Sequence, residues 1–283
     1  MKTATIITIY LISMCSAFGG EPPIVGAWQW GNGAAGESGV LVFLPNGIYF
    51  EAEDLPDEED SDGMERGTYT WNETTGAFSA TPIVDTNGDW GLNDPLDSVI
   101  VNGDKITFTD SEGSEVFDRV FSPTSSIVGA WQWGNGAAGE SGVLVFLPNG
   151  IYFEAEDLPD EEDSDGMERG TYIWNETTGA FSATPIVDTN GDWGLNDPLD
   201  SVIVNGDKIT FTDSEGSEVF DRVIYIEGSV AIGRTADQFT VDFSGILEES
   251  ADLKNWQGIL PQPTDVLTFT SLETGRYFKA RGK

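Results

Sequence analysis

The chain has 283 residues, with 49 Asp plus Glu against 13 Lys plus Arg, no His and a single Cys. That length has room for two or three domains of ordinary size. A net charge of −36 excludes nucleic acid and anionic membrane as partners held by charge attraction, and the lack of His together with one Cys, at position 15, removes the commonest catalytic base and thiol nucleophile.

In chain order, Lys2 precedes an apolar run from Ala4 to Ala17 through Ile6, Ile7, Ile9, Leu11 and Ile12, followed by small residues and Glu21-Pro22-Pro23. This pattern predicts an export signal over residues 1–19, cleaved after Gly19 or, alternatively, after Ala17. Leu11-Ile12-Ser13-Met14-Cys15 offers a lipoprotein alternative, against which Met14 is larger than that processing site accepts. No other apolar run is long enough to cross a bilayer as a helix. The expectation is an exported protein, secreted, extracellular or periplasmic, with no membrane span and no disulfide.

Sliding the sequence by 103 positions superimposes Ile24–Val120 on Ile127–Val223, and Thr70 against Ile173 is the single mismatch. Self-similarity on this scale sets the domain boundaries. It predicts repeats at 24–120 and 127–223, a linker at 121–126 rich in turn residues, and a C-terminal module at 224–283. Each repeat carries 20 acidic and 3 basic residues, whereas the tail from Ile224 is almost balanced, which marks it as a separate unit.

Within the first repeat, β-rich runs fall at Val25–Trp30, Gly39–Leu44, Ile48–Ala52, Gly67–Trp71, Gly76–Ala80, Ser98–Val101, Lys105–Thr109 and Glu115–Val120. Pro45-Asn46-Gly47 and Asn102-Gly103-Asp104 supply tight turns between them. Val40, Val42 and Leu44 alternate with Leu41 and Phe43, so that strand has two distinct faces. The spacing predicts an all-β chain of antiparallel up-and-down barrels, each an eight-strand closed sheet without free edges.

Gly26-Ala27-Trp28, Val42-Phe43-Leu44-Pro45-Asn46-Gly47-Ile48-Tyr49, Gly67-Thr68-Tyr69-Thr70-Trp71, and Lys105–Thr109 before Phe117-Asp118-Arg119-Val120 together resemble bacterial lipocalin-like domains. The resemblance covers a whole repeat and recurs in the second at Gly129-Ala130-Trp131, Gly170–Trp174 and Phe220-Asp221-Arg222. It implies that Trp28 with Arg119, and Trp131 with Arg222, close one end of each barrel by a cation–π pair. A repeat of this length is short for a large-pocket lipocalin.

Two acidic loops per repeat are candidate calcium sites, since calcium is wrapped by oxygen ligands at alternate positions. They are Glu58, Asp60 and Asp62, and Asp85, Asn87 and Asp89, with Glu161, Asp163, Asp165, Asp188, Asn190 and Asp192 in the second repeat. Neither completes an EF-hand, because Tyr69 and Leu96 stand where the closing Glu belongs; a solvated acidic loop is the alternative. Trp30 and Trp90, with Trp133 and Trp193, are flanked by Gly, Asn or Asp and are the candidate ligand contacts.

The tail contains short strand-like runs at Val230–Ile232, Phe239–Phe243, Leu247–Ser250, Val266–Phe269 and Tyr277–Arg281. Leu247–Trp256 with Arg276–Arg281 resembles small β modules that end many secreted bacterial proteins, which implies an accessory or surface-associated role. The functional expectation is a non-catalytic binding or adhesion protein, calcium-assisted, for a small ligand, glycan or extracellular protein. A matrix spacer and a carboxylate-dependent glycoside hydrolase are the alternatives.

Overall fold

The computed structural model describes residues 22–55, 62–88, 91–92, 95–120, 126–158, 165–191, 194–195 and 198–223, together with strand segments 230–234, 239–243, 246–250, 257–258, 266–269 and 277–281. The first repeat forms β1 (Gly26–Trp30), β2 (Ser38–Phe43), β3 (Ile48–Asp54), β4 (Gly63–Trp71), β5 (Phe78–Asp85), β6 (Ser98–Asn102), β7 (Lys105–Thr109) and β8 (Ser114–Arg119). The second forms β9 (Gly129–Trp133), β10 (Ser141–Phe146), β11 (Ile151–Asp157), β12 (Gly166–Trp174), β13 (Phe181–Asp188), β14 (Ser201–Asn205), β15 (Lys208–Thr212) and β16 (Ser217–Val223).

The strand order is β5-β4-β3-β2-β1-β8-β7-β6, and the second repeat copies it as β13-β12-β11-β10-β9-β16-β15-β14. These are two tandem antiparallel up-and-down barrels. Each of the eight predicted strands lands on an observed one. Three extend well past their expected bounds: β3 runs on to Asp54, β4 starts at Gly63, and β5 runs on to Asp85. A register shift between Arg66 and Gly67 breaks the alternation within β4, and Pro82 gave β5 the look of a turn.

The expectation of a closed sheet is corrected. β5 and β6 are the ends of the order and share no ladder. Pro82 has no N–H to give, and the two strands are separated in sequence by residues 86–97, more than a hairpin turn needs. Val99 N–H donates to Gly76 O at 2.8 Å and Trp71 Nε1 donates to Val99 O at 2.8 Å, which pins the seam at one point.

Inside the first barrel Ile24, Trp28, Leu41, Phe43, Tyr49, Val99, Ile106, Phe108 and Phe117 form one core cluster, and the second repeat repeats it. A third cluster spans both repeats. It joins Val40, Val42, Leu44, Phe50, Ala52 and Met64 to Val143, Val145, Leu147, Phe153, Ala155 and Met167. Every residue of β2 is therefore buried, one face in its own barrel and the other against the second repeat. The two distinct faces of that strand are both core faces, so Pro22–Tyr225 is one compact unit.

Polar contacts around this shared core come in exchanged pairs. Arg66 Nη1 lies 3.0 Å from Asp157 Oδ2, and Arg169 Nη1 lies 3.0 Å from Asp54 Oδ2. The same guanidinium groups donate to the carbonyls of Gly136 and Gly33. Asn46 Nδ2 reaches Asn135 O, and Asn149 Nδ2 reaches Asn32 O, both at 2.8 Å. Gly33 sits at φ +71 with Ile151 only 2.9 Å from where a Cβ would be, so both the backbone and the close approach require glycine there. The repeats thus meet as an isologous dimer does, within one chain.

The C-terminal segment contains β17 (Val230–Arg234), β18 (Phe239–Phe243), β19 (Ile246–Ser250), β20 (Gln257–Gly258), β21 (Val266–Phe269) and β22 (Tyr277–Arg281). They form two three-stranded sheets, β17-β18-β21 and β20-β19-β22. β20 is two residues long and carries no alternation for a sequence pattern to show. Among the described residues no helix is long and apolar enough to cross a membrane.

Candidate functional site

Alternation along β3 puts Tyr49, Glu51 and Glu53 on the interior face, while Phe50 and Ala52 join the shared core. Antiparallel pairing then sets Glu51 opposite Glu65 of β4, and Glu65 opposite Asp85 of β5. Three acids in one cross-strand row repel one another, and the sheet gains nothing from them as a sheet. Glu51 is 3 % exposed, Glu53 3 % and Glu65 0 %.

Residues 86–88 and 91–92 cover this row. Thr86 N–H donates to Met64 O at 2.9 Å, and Met64 N–H donates to Thr86 Oγ1 at 2.9 Å, laying the chain across Gly63, where a Cβ would meet Thr86 and Asn87 backbone at 2.8 Å. Asn87 turns inward, fully buried, and its Nδ2 donates to Glu53 Oε2 at 2.8 Å. Leu92 N–H donates to Glu65 Oε1 at 3.2 Å, and the Tyr49 hydroxyl donates to that same oxygen. Gly67 leaves room for the Tyr49 ring, which lies 2.6 Å from its would-be Cβ.

Burial drives the pKa of Glu51 well above the usual carboxylate range, and the charges of Glu53 and Glu65 push it further. Burial also raises Glu65 to about 7, although the Tyr49 hydroxyl and Leu92 N–H favour its charged form. Tyr49 is raised by its own burial and by Glu65. The second repeat reproduces the arrangement: Glu154 is raised well above the usual range, and Glu156 and Glu168 to about 7, burial leading in each case. Glu51 Oε2, Glu65 Oε2 and Asn87 Oδ1 are buried without a hydrogen-bond partner, as are Glu154 Oε2, Glu168 Oε2 and Asn190 Oδ1. Among the described residues no set of three or more acidic, His or Cys side chains is grouped as a metal centre.

The residues singled out from sequence are distributed differently. Asp85 is exposed and its Oδ1 accepts Gly88 N–H at 3.1 Å, and Asp62 Oδ1 accepts Leu55 N–H at 2.8 Å; Asp188 and Asp165 do the same for Gly191 and Leu158. Among the described residues of that set, Asn87 and Asn190 alone enter the interior cluster. Glu58, Asp60, Asp89, Glu161, Asp163, Asp192, Trp90 and Trp193 lie outside the described residues. Trp30 packs over Gly39, where a Cβ would sit 2.0 Å from the indole, and stacks on Phe117 at 4.7 Å; Trp133 does the same with Gly142 and Phe220. Arg119 places its guanidinium carbon 4.0 Å from the Trp28 ring centroid and donates to the carbonyls of Val25 and Pro23 at 3.0 and 2.6 Å. Arg222 lies 3.9 Å from the Trp131 centroid.

Glu51, Glu53 and Glu65 were missed by sequence reasoning. The available signal was Glu at alternate positions in Tyr49-Phe50-Glu51-Ala52-Glu53, which places acids on the face shared with Tyr49. A chain of rings occupies the rest of the interior: Trp30 with Phe117, Phe117 with Phe108, Phe108 with Phe78, and Phe78 with Phe43 and Tyr69, at centroid distances of 4.7 to 6.5 Å. No family model matches the chain, and no curated protein matches it.

Proposed function

We propose that the protein is an exported, non-catalytic binding or adhesion protein, lipocalin-like in its repeats, that meets its partner on outer and loop surfaces rather than in a barrel lumen. The aromatic chain through the interior carries this reading, because packed rings fill the space a carrier lipocalin would give to its ligand. The shared core supports it further: each outer loop is presented twice at a fixed spacing, so a partner with repeated epitopes gains avidity without any new contact. The partner class is a glycan, small ligand or extracellular protein, and the excess of negative charge favours one carrying cations.

Catalysis is disfavoured by access. The carboxyls with raised pKa have the titration of a general acid, but at 0–3 % exposure they are out of hydrogen-bonding reach of any substrate. The C-terminal segment, read as a module of secreted proteins, serves surface association. The test is biosensor binding of the full mature chain to a glycan panel and to isolated cell-envelope polymers at physiological salt. Saturable binding, with slower release from multivalent than from monovalent probes, is the expected result. Release of reducing sugar from a glycoside, or absence of saturable binding to every probe, overturns the reading, and the latter outcome favours a spacer.

A further inference from the structure

We propose that Glu51, Glu65 and the Asn87 amide oxygen, and their equivalents Glu154, Glu168 and Asn190, form two interior sites for a hard divalent cation of the calcium class. Of the calcium ligands that the sequence singles out it keeps only Asn87 and Asn190, and it stands whether or not the binding reading holds.

The argument begins with unmet polar atoms. A buried oxygen without a partner is costly, and besides the Asp oxygen that faces an arginine each repeat holds three, on side chains 0–3 % exposed. Two of them converge. Glu65 Oε2 and Glu51 Oε2 lie 2.9 and 3.0 Å from the point where a Gly91 Cβ would stand, and in the second repeat the distances to the Gly194 point are 3.1 Å for Glu168 and 2.9 Å for Glu154. Gly91 holds φ +93 there, so the covering chain crosses the two carboxylates with its bare backbone, close enough that a methyl would press on both oxygens. The Asn87 amide head is anchored at the same cluster by its Nδ2 bond to Glu53. Oxygen donors of this kind, completed by water and backbone carbonyls, suit calcium rather than a soft metal.

Charge supplies the second argument. The ion pairs of Arg66, Lys105, Arg169 and Lys208 all lie elsewhere. Burying carboxylates side by side requires either protons or a cation. A divalent ion satisfies both convergent oxygens at once and ties β3 and β4 to the segment that covers them.

The test uses the mature chain stripped with chelator, at pH 7.5 and constant ionic strength, with magnesium as the control. Calcium titration is expected to give two ions per chain and to raise Tm by about 10 °C at a hundredfold excess over Kd. Terbium in place of calcium is expected to show emission sensitised by Tyr49 and the nearby indoles. The double variant Glu51→Gln, Glu154→Gln keeps the shape of both side chains while relieving their repulsion. It is expected to melt above the parent without calcium, and to lose at least about tenfold in calcium affinity along with the terbium emission. A parent chain with no calcium-specific shift overturns the proposal, and so does a double variant whose calcium and terbium responses match the parent.

Discussion

Arg169→Met tests whether the contact between repeats is core or surface. Arg169 is 3 % exposed, faces Asp54 across the repeat boundary at 3.0 Å, donates to Gly33 O, and lies 5.9 Å from the Phe153 ring centroid. Met fills most of the same volume, so the loss is electrostatic: Asp54 keeps its Gly36 N–H at 3.1 Å but becomes a buried carboxylate without its cation. Removing one partner of a buried pair costs about 3–5 kcal/mol, against about 0–1 kcal/mol at a surface. Urea unfolding at neutral pH, followed by tryptophan fluorescence, reads the difference from the midpoint at constant slope. Asp54→Asn is expected to recover part of the loss when combined with Arg169→Met, giving a coupling of about 1–3 kcal/mol. Because Arg66 with Asp157 repeats the geometry at 3.0 Å, Arg66→Met is expected to match Arg169→Met to within about 0.5 kcal/mol. A loss below about 1 kcal/mol for Arg169→Met, or a clear inequality between the mirrored variants, would refute the reasoning.

Three further outcomes are expected. Gly91→Ala sets a methyl at 2.9 Å from Glu65 Oε2 on a backbone at φ +93, so it should lower stability by about 1–3 kcal/mol; an unchanged melting temperature would place the covering segment elsewhere. Arg119→Leu strips the guanidinium from the Trp28 face and from the carbonyls of Val25 and Pro23, at a cost of about 2–4 kcal/mol, and near-ultraviolet circular dichroism should register the altered indole. Ile173→Thr erases the single mismatch between the repeats at a side chain 75 % exposed, and a thermal melt should move by no more than about 0.5 kcal/mol in stability.

Strand positions were legible because turn residues and alternation mark them locally: Pro45-Asn46-Gly47 and Asn102-Gly103-Asp104 close hairpins in the structure where the sequence puts them. The pairing of repeats was not legible. Val40, Val42 and Leu44 announce an apolar outer face, but an alternating strand does not tell whether that face meets the barrel wall or another copy. Arg66 and Asp54 look like ordinary members of an acidic loop region until the second repeat supplies Asp157 and Arg169. The interior carboxylates were hidden for a related reason. In a chain with 49 acids, Glu51 and Glu65 stand out only when register sets them opposite one another under a covering segment, and that segment comes from more than twenty residues downstream. Asn87 was picked out as a possible calcium ligand by its spacing to Asp85, yet it faces the other way, toward Glu53.

The account turns on the outer face of β2, β3 and β4 being core. The most direct test is sedimentation equilibrium of a single repeat, residues 22–120, at moderate salt. Since the repeats differ only at Thr70 and Ile173, one copy presents the same face that the second copy offers it within the chain. A dimer that dissociates when Arg66→Met is introduced is the expected result. A folded, soluble monomer with the same melting temperature as the tandem protein would contradict the account.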